Sequence, residues 1–558
     1  MLAAAILPLV GLTGLLASLL PAFGWSPVAD QSPLPAWSTL TSLSGLTQML
    51  TVTLITGLAS TALSLLFVLI FACCCWKTRL WTLAEFTLPP LLCIPHTALA
   101  AGVSFLLAPT GVLGRLLAAI NGWEIPPDLT TINDAWGLSL IFTLVLKEAP
   151  FLALMAISAC RQIPVEKLLV TGQSLGYSPS LCWVKIVWTP LYRALRLPVL
   201  TVLIYSISVV DISMMTGPSL PPTLPVQILL WYQDPDLLYQ APAAAAVALL
   251  LVLSAIAVLC YLAAEKGVSY CLQPWITGGL RHLPHWIFMI GRGLWSGLSA
   301  TSLGCLLLVA LWSFITRWPF PDMLPCDWSL QLWSRHVHRL QTPLSTTLTL
   351  ALLSTLAALV LAVTLLELGK YQTDRLRKAT TITVYIPLLI PQIALMPGIQ
   401  TLLISLNIDG LWATVIGCHL LFVFPYCYLS LAQSWRSYDA RYSQTGHLLS
   451  GSRLRTFLYI KLPMLLPCLL TSSLLGASIS SALYLPTLMP GAGRFETLTT
   501  EAVALSSGGS RSLLALYALV QVMPPLAIMA MAKLLPAALK RRTGRPLETR
   551  PAHKENAA

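Results

Sequence analysis

Val170-Thr171-Gly172-Gln173-Ser174-Leu175-Gly176-Tyr177-Ser178-Pro179 is a polar stretch with two glycines, enclosed between long apolar segments. It runs on through Lys185-Ile186 to Pro190. A second copy lies far downstream: Gln444-Thr445-Gly446-His447-Leu448-Leu449-Ser450-Gly451-Ser452-Arg453, continuing to Ile460-Lys461-Leu462-Pro463. Thr171-Gly172 matches Thr445-Gly446 at an offset of 274, and Leu175 matches Leu449 at the same offset. Glycine admits a positive φ that other residues resist. Leu-Gly-x-Ser-Pro therefore reads as one short helix stopping and another starting, with Ser178 as its cap and Pro179 in its first position. A single copy would be an ordinary amphipathic loop; two copies on one side of a membrane chain read as a pair of docking sites.

The surrounding sequence makes this a membrane chain. Of 558 residues, 56% are hydrophobic and only 10% are charged, and the mean hydropathy is +0.77. A water-facing surface on a protein of this size needs far more charge. Apolar runs of about 20 residues recur along the whole length, each able to cross roughly 30 Å of hydrocarbon. The fold class expected is all-α, a polytopic membrane protein in contact with lipid. Twelve spans are read at about 2–22, 47–72, 83–107, 136–160, 192–215, 241–264, 291–314, 344–366, 380–405, 410–433, 463–488 and 511–535. The stretch from Met1 to about Leu20 has no preceding cationic region and no small-residue cleavage site, so it reads as a retained first helix.

The net charge of +12 reflects loop basicity rather than nucleic-acid binding, since no basic stretch is interleaved with aromatics on a soluble domain. If the even-numbered connections and the C-terminus face the cytoplasm, those segments carry 26 Lys and Arg and the opposite segments only 6. Basic residues collect in cytoplasmic loops, so both termini and both glycine loops are expected inside. Cys73-Cys74-Cys75 is too closely spaced to converge on one metal ion, and the thirteen cysteines show no disulfide framework. His336-x-His338 reads as outer-loop surface.

The repeat extends beyond the loops. Thr53-Leu54 recurs as Thr347-Leu348, and Ile94-Pro95-x-x-Ala98-Leu99-x-x-Gly102 recurs as Ile390-Pro391-x-x-Ala394-Leu395-x-x-Gly398. Thr223-Leu224 recurs as Thr497-Leu498. Two tandem six-span halves of the same orientation follow: 1–264, with its loop at about 161–191, and 291–536, with its loop at about 434–463. A cytoplasmic linker at 265–290 joins them, and 537–558 forms a basic tail.

Ionisable and helix-breaking residues within the spans are the candidates for a solute path. Pro95 and Pro391 open spans three and nine at matching places, followed by His96 and Gln392. A kink and a path-lining role are both open for the prolines. Lys147 and Glu148 fall near the middle of span four, before Pro150. Helical neighbours diverge by about 100°, so each is expected to pair with a different span, in a structural ion pair or along a path. Asp211 lies in span five, where Leu485 replaces it in the repeat. Contact with a cationic solute and a capping role are its two readings.

Leu175-Gly176-Tyr177-Ser178-Pro179 with Ile186 and Pro190 resembles the cytoplasmic loop E-A-A-x-x-x-G-x(9)-I-x-L-P of ABC-importer permeases. Gly451 through Ile460-Lys461-Leu462-Pro463 resembles its second copy. The glutamate position falls on Val170 and on Thr445, Pro190 comes one residue late and Pro463 one early. Glu166, one turn upstream, could replace the missing glutamate. The resemblance, closest to the fused permeases of the ferric-iron, thiamine and polyamine importers, implies a transport subunit of the bacterial inner membrane. It implies that Gly172, Leu175, Gly176, Ser178, Pro190, Gly446, Gly451 and Pro463 belong to coupling loops that enter separate ATP-binding subunits, two copies in all. It also implies a periplasmic solute-binding protein as a partner. The sequence has no G-x-x-x-x-G-K-[ST], so the chain has no phosphate-cradling loop of that kind. It is read as a non-enzyme with no cofactor or metal of its own, any ATP being bound by the partner. The alternative is a gradient-driven secondary transporter of major-facilitator-like architecture, which twelve spans in two parallel halves also fit.

Overall fold

The structure is a computed structural model that describes residues 2–25, 33–279, 281, 284–369 and 373–543. Helices α1 (Leu2–Leu19), α2 (Pro33–Thr41), α3 (Leu46–Cys75), α4 (Arg79–Cys93), α5 (His96–Leu107), α6 (Val112–Asn121) and α7 (Leu138–Cys160) come first. The first glycine loop is α8 (Val165–Ser174) and α9 (Pro179–Cys182), followed by α10 (Trp188–Ser208), α11 (Asp211–Thr216), α12 (Leu224–Gln233) and α13 (Gln240–Thr277). Then come α14 (His285–Trp312), a small antiparallel pair of β1 (Ile315–Arg317) and β2 (Asp327–Trp328), and α15 (Gln331–Leu368). Helices α16 (Asp374–Leu389), α17 (Gln392–Ser405) and α18 (Trp412–Arg436) precede the second glycine loop, α19 (Ala440–Ser450) and α20 (Arg453–Thr456). The chain continues through α21 (Leu462–Met464), α22 (Leu466–Ala482), α23 (Leu485–Leu488), α24 (Leu498–Ser506) and α25 (Arg511–Thr543).

Every span read from hydropathy falls on one of these helices or on a broken pair. Among the described residues, nine helices are long and apolar enough to cross a membrane, and eleven if two bent pairs count as one span each. This is fewer than the twelve expected. The difference is the apolar helix at the N-terminus, which is short; the third span is broken at Ile94-Pro95 between α4 and α5, yet His96–Asn121 still counts as a crossing. The expected linker at 265–290 is mostly helix, because α13 runs to Thr277 and α14 starts at His285. His336 and His338 lie in the first turns of α15 rather than in a loop, half-buried and exposed respectively. Most of the basic tail lies outside the described residues.

In a bilayer, helices are held by close packing and by polar contacts rather than by exclusion of water, so small residues mark where backbones meet. Helices α3, α7 and α10 pack together, as do α15, α18 and α22. Helix α14 seats on α5, and α1 on α17. The repeated glycine of P-x-x-A-L-x-x-G explains both seats. A Cβ on Gly102 would strike the backbone of Cys305 in α14, and one on Gly398 would strike Gly14 and Ser18 in α1. Ser18 Oγ also accepts the Gly398 N–H (2.7 Å).

The repeated threonines have an equally local reason. Thr53 Oγ1 accepts the Leu224 N–H at the start of α12, and Thr347 Oγ1 accepts the Leu498 N–H at the start of α24, both at 3.0 Å. Each satisfies an orphan donor at a helix N-terminus from a neighbouring span. Two separate sequence repeats therefore meet each other in space, in the same way, twice.

Candidate coupling loops and a buried charge cluster

Gly172 and Gly446 are buried on the inner side of their hairpins. A Cβ on Gly172 would stand 2.5 Å from Cys182 Sγ and 2.7 Å from Ile186 Cδ1. A Cβ on Gly446 would meet Ile460 Cδ1 and stand 2.9 Å from Thr456 Cγ2. Cys182 and Ile186 correspond to Thr456 and Ile460 at the offset of 274 that the glycines share. These two glycines are therefore the points where the arms of each hairpin cross.

The turn glycines adopt the left-handed region, Gly176 at φ +84° and Gly451 at φ +63°. The first turn closes with two bonds, Gly176 N–H to Gln173 O and Tyr177 N–H to Gly172 O, the Schellman arrangement. The second closes with one, Gly451 N–H to His447 O. The first helix thus stops two residues earlier, at Ser174 against Ser450, relative to Pro179 and Arg453, which stand at the same offset of 274. The turn glycine shifts in the same direction between copies, by one residue.

Ser178 occupies the expected N-cap position, and Pro179 the first turn of α9, but the Ser178 side chain makes no cap bond. Its Oγ is buried without a partner among the described residues, while its N–H donates to Arg281 O (2.9 Å). Ser452 does cap, accepting the Arg455 N–H. Glu166 sits in the first turn of α8 and pairs with Lys77 (2.8 Å), both side chains well exposed. The hydrogen bond and charge of Lys77 hold the Glu166 carboxyl below its usual range.

Beyond each turn the helix widens into a π turn, Trp183–Val187 and Phe457–Lys461. Trp188 N–H donates to Trp183 O and Leu462 N–H to Phe457 O. A proline lacks an N–H and its ring crowds the carbonyl four residues back. Pro190 and Pro463 follow these π turns closely, where the looser spacing accommodates them. The exits differ. Residues from Pro179 to Ser208 form one continuous span, whereas Arg453–Met464 and Leu466–Ala482 meet at 73°.

Exposed apolar side chains crown both hairpins: Val170 and Leu175 on the first, Leu448, Leu449 and Leu454 on the second. Leu448 and Leu449 are 85% and 83% exposed, which suits a surface that another protein covers.

The second constellation lies where α4, α5, α7, α10 and α11 meet. Pro95 is buried and ends the break between α4 and α5; Lys147 Nζ donates to Ile94 O (2.5 Å) and Leu92 O (3.3 Å). The lysine therefore satisfies carbonyls that the broken helix frees. Lys147, Glu148 and Asp211 are all buried. Lys147 lies within electrostatic reach of Glu148 and Asp211, and Glu148 also reaches Tyr205 and Tyr426. The His96 ring lies tilted against the Tyr205 ring (centroids 5.4 Å apart), and His96 Nδ1 and Tyr205 Oη are buried without partners among the described residues. Asp211 heads α11 as Leu485 heads α23. Pro391 and Gln392 repeat the break between α16 and α17, which bends by 93°.

The two hairpins, each leading into a membrane helix, are the feature to set beside known proteins. The chain is 32% identical over 478 residues to the inner membrane ABC transporter permease protein YnjC of Escherichia coli (strain K12), covering 85% of this chain and 84% of that protein. The chain belongs to the ABC transporter permease family. No family model matches the permease. The shared length takes in most of the described helices, not one motif.

Several well-placed polar residues of the permease were not singled out from sequence. Lys185 and Lys461 counted only as loop cations, yet both are buried. Their signal was a lysine within an apolar, aromatic stretch, Trp183-Val184-Lys185-Ile186 and Tyr459-Ile460-Lys461. His419 is buried between Ser480 Oγ (2.8 Å) and Thr487 Oγ1 (2.9 Å). Arg115 donates to the carbonyls of Thr110, Trp318, Pro319 and Asp322 and lies over the Trp318 ring. It ties α6 to the segment between β1 and β2.

Proposed function

We propose that this permease is the transmembrane subunit of an ATP-driven importer in the bacterial inner membrane, with both termini cytoplasmic. It is built as two halves, 1–264 and 291–536, joined through 265–290. The loops at 161–191 and 434–463 enter separate ATP-binding subunits, one copy each, and a periplasmic solute-binding protein delivers the solute. The single observation that supports this most is the duplicated hairpin. Gly172 and Gly446 make matching contacts, left-handed glycines close both turns, and exposed leucines face outward. A docked loop needs this combination of a rigid crossing point and an apolar tip. The basic bias of the same connections supports a cytoplasmic position.

In this reading the path runs past the paired helix breaks at Pro95-His96 and Pro391-Gln392. Lys147 holds one break in shape, and Glu148 and Asp211 supply the charge that a passing solute meets. The permease contributes no ATP site, and its work is mechanical: loop displacement changes the packing of α10 and α22 against their neighbours.

The test is purification of the full chain from its native membrane, with the eluate searched for an ATP-binding subunit. Association of that subunit, and its loss in Gly172→Leu and Gly446→Leu variants that still insert in the membrane, is the expected result. A chain that binds no ATP-binding subunit would return the gradient-driven alternative.

A further inference from the structure

Each hairpin carries one buried lysine on its π turn. Lys185 and Lys461 are 8% and 1% exposed. They are not equivalent in the repeat: at the offset of 274, Lys185 corresponds to Tyr459 and Lys461 to Val187. Both nevertheless reach the same kind of nest. The Lys185 ammonium lies 5.1 Å from the Tyr177 ring and 5.0 Å from the Trp275 ring, and donates to Gly278 O (2.9 Å). The Lys461 ammonium lies 4.2 Å from the Trp435 ring and 5.2 Å from the Tyr438 ring, and bonds Glu367 Oε2.

A lysine beside a membrane surface ordinarily extends its head into water. Burying the ammonium is unfavourable unless aromatic faces and oxygens replace that water. Where they do, the ammonium is held to whichever element supplies them. The suppliers differ between the two loops. Trp275 and Gly278 belong to the end of α13 and the segment leading to α14, and Arg281 O holds Ser178 N–H from the same segment. Glu367 belongs to the end of α15 and Trp435 to the last turn of α18, while Tyr438 lies in the turn that follows α18.

We propose that Lys185 and Lys461 are the positioning residues that carry loop displacement into the membrane, by two different routes. Lys185 passes it to α13 and the connection between α13 and α14. Lys461 passes it to α15 and α18. The proposal rests on the reading that the loops dock on ATP-binding subunits.

The test uses the full chain with its co-purified ATP-binding subunit in liposomes, with exposed Cys260, Cys271 and Cys326 replaced by Ser. A nitroxide at Val268→Cys reports on α13, and one at Leu368→Cys reports on α15; both positions are exposed. ATP with vanadate is the stimulus. In the parent, both spectra respond. Lys185→Met should reduce the response at 268 at least fivefold and leave that at 368, and Lys461→Met should do the reverse. Lys185→Arg and Lys461→Arg, which keep the charge, should restore them. If a methionine variant fails to fold, Trp275→Leu and Tyr438→Leu weaken each nest with the lysine in place, and the same site-selective losses are expected. Responses equal to the parent in these variants, or equal loss at both sites, would overturn the proposal. So would a parent complex that binds the subunit and shows no response. A parent chain that binds no ATP-binding subunit would instead defeat the docking reading.

Discussion

Gly172 meets Cys182 and Ile186 where Gly446 meets Thr456 and Ile460, yet the first loop runs straight into its span and the second turns 73° before α22. The first is also held by the connection between α13 and α14, through Gly278 and Arg281. The second is held by Glu367 at the end of α15. The crossing point of each hairpin is thus conserved between copies in geometry, while these attachments, Gly278 and Arg281 for the first and Glu367 for the second, have diverged. A duplicated element keeps what its own fold requires. Its attachments follow the different neighbours that each copy finds.

The largest effects should come from the shared part. Gly172→Leu and Gly446→Leu place a side chain where a Cβ alone already collides with a neighbour. Each should lower recovery of the ATP-binding subunit at least tenfold, about 1.4 kcal/mol of binding free energy or more. Equal losses for the two would sharpen the comparison; a tolerated Gly446→Leu would break it.

The attachments should separate the copies next. Lys461→Met removes the Lys461 ammonium from the Glu367 carboxylate, which keeps its bond from Trp435 Nε1. Because Glu367 is about a third exposed, the loss should fall below that of a fully buried pair, at about 2 kcal/mol. Lys185→Met removes a charge-assisted bond to a carbonyl but strands no carboxylate, and should cost less, about 1.5 kcal/mol. Unfolding midpoints of the two variants in detergent give the order.

The caps give a third contrast. Ser452→Ala removes a bond to the Arg455 N–H and should cost about 1 kcal/mol. Ser178→Ala removes a buried hydroxyl without a partner among the described residues and should leave the midpoint unchanged or raise it.

The smallest effect belongs to Lys77 and Glu166. The lowered Glu166 carboxyl makes the pair stabilising above the carboxylate's unfolded range, and that contribution is lost as pH falls through its folded range. Both ends are exposed, so Lys77→Met should not move the midpoint measurably at neutral pH. It should return the Glu166 titration upward, as read by NMR.

The fold and the loops were legible in the sequence for different reasons. Apolar length located the spans, because a helix that crosses lipid must satisfy its backbone internally over about 20 residues. Matching glycines and threonines located the loops and the helix seats, because a backbone crossing tolerates only the smallest residue. The broken span at Pro95 was visible as a proline pattern, but its satisfaction by Lys147 was not, since that bond joins residues 53 apart in sequence. The nests around Lys185 and Lys461 were hidden for the same reason. A lysine counted for its charge says nothing of the rings that enclose it. Ser178 misled in the other direction: its residue type suits a cap, but the connection to Arg281 takes its backbone and leaves the hydroxyl idle.

Impermeant thiol labelling of Leu175→Cys and Leu449→Cys tests the central claim most directly, in a chain whose exposed native cysteines are replaced. Both positions should label from the cytoplasmic side alone and become protected when the ATP-binding subunit is present. Labelling from the periplasm, or labelling unchanged by that subunit, would contradict the account.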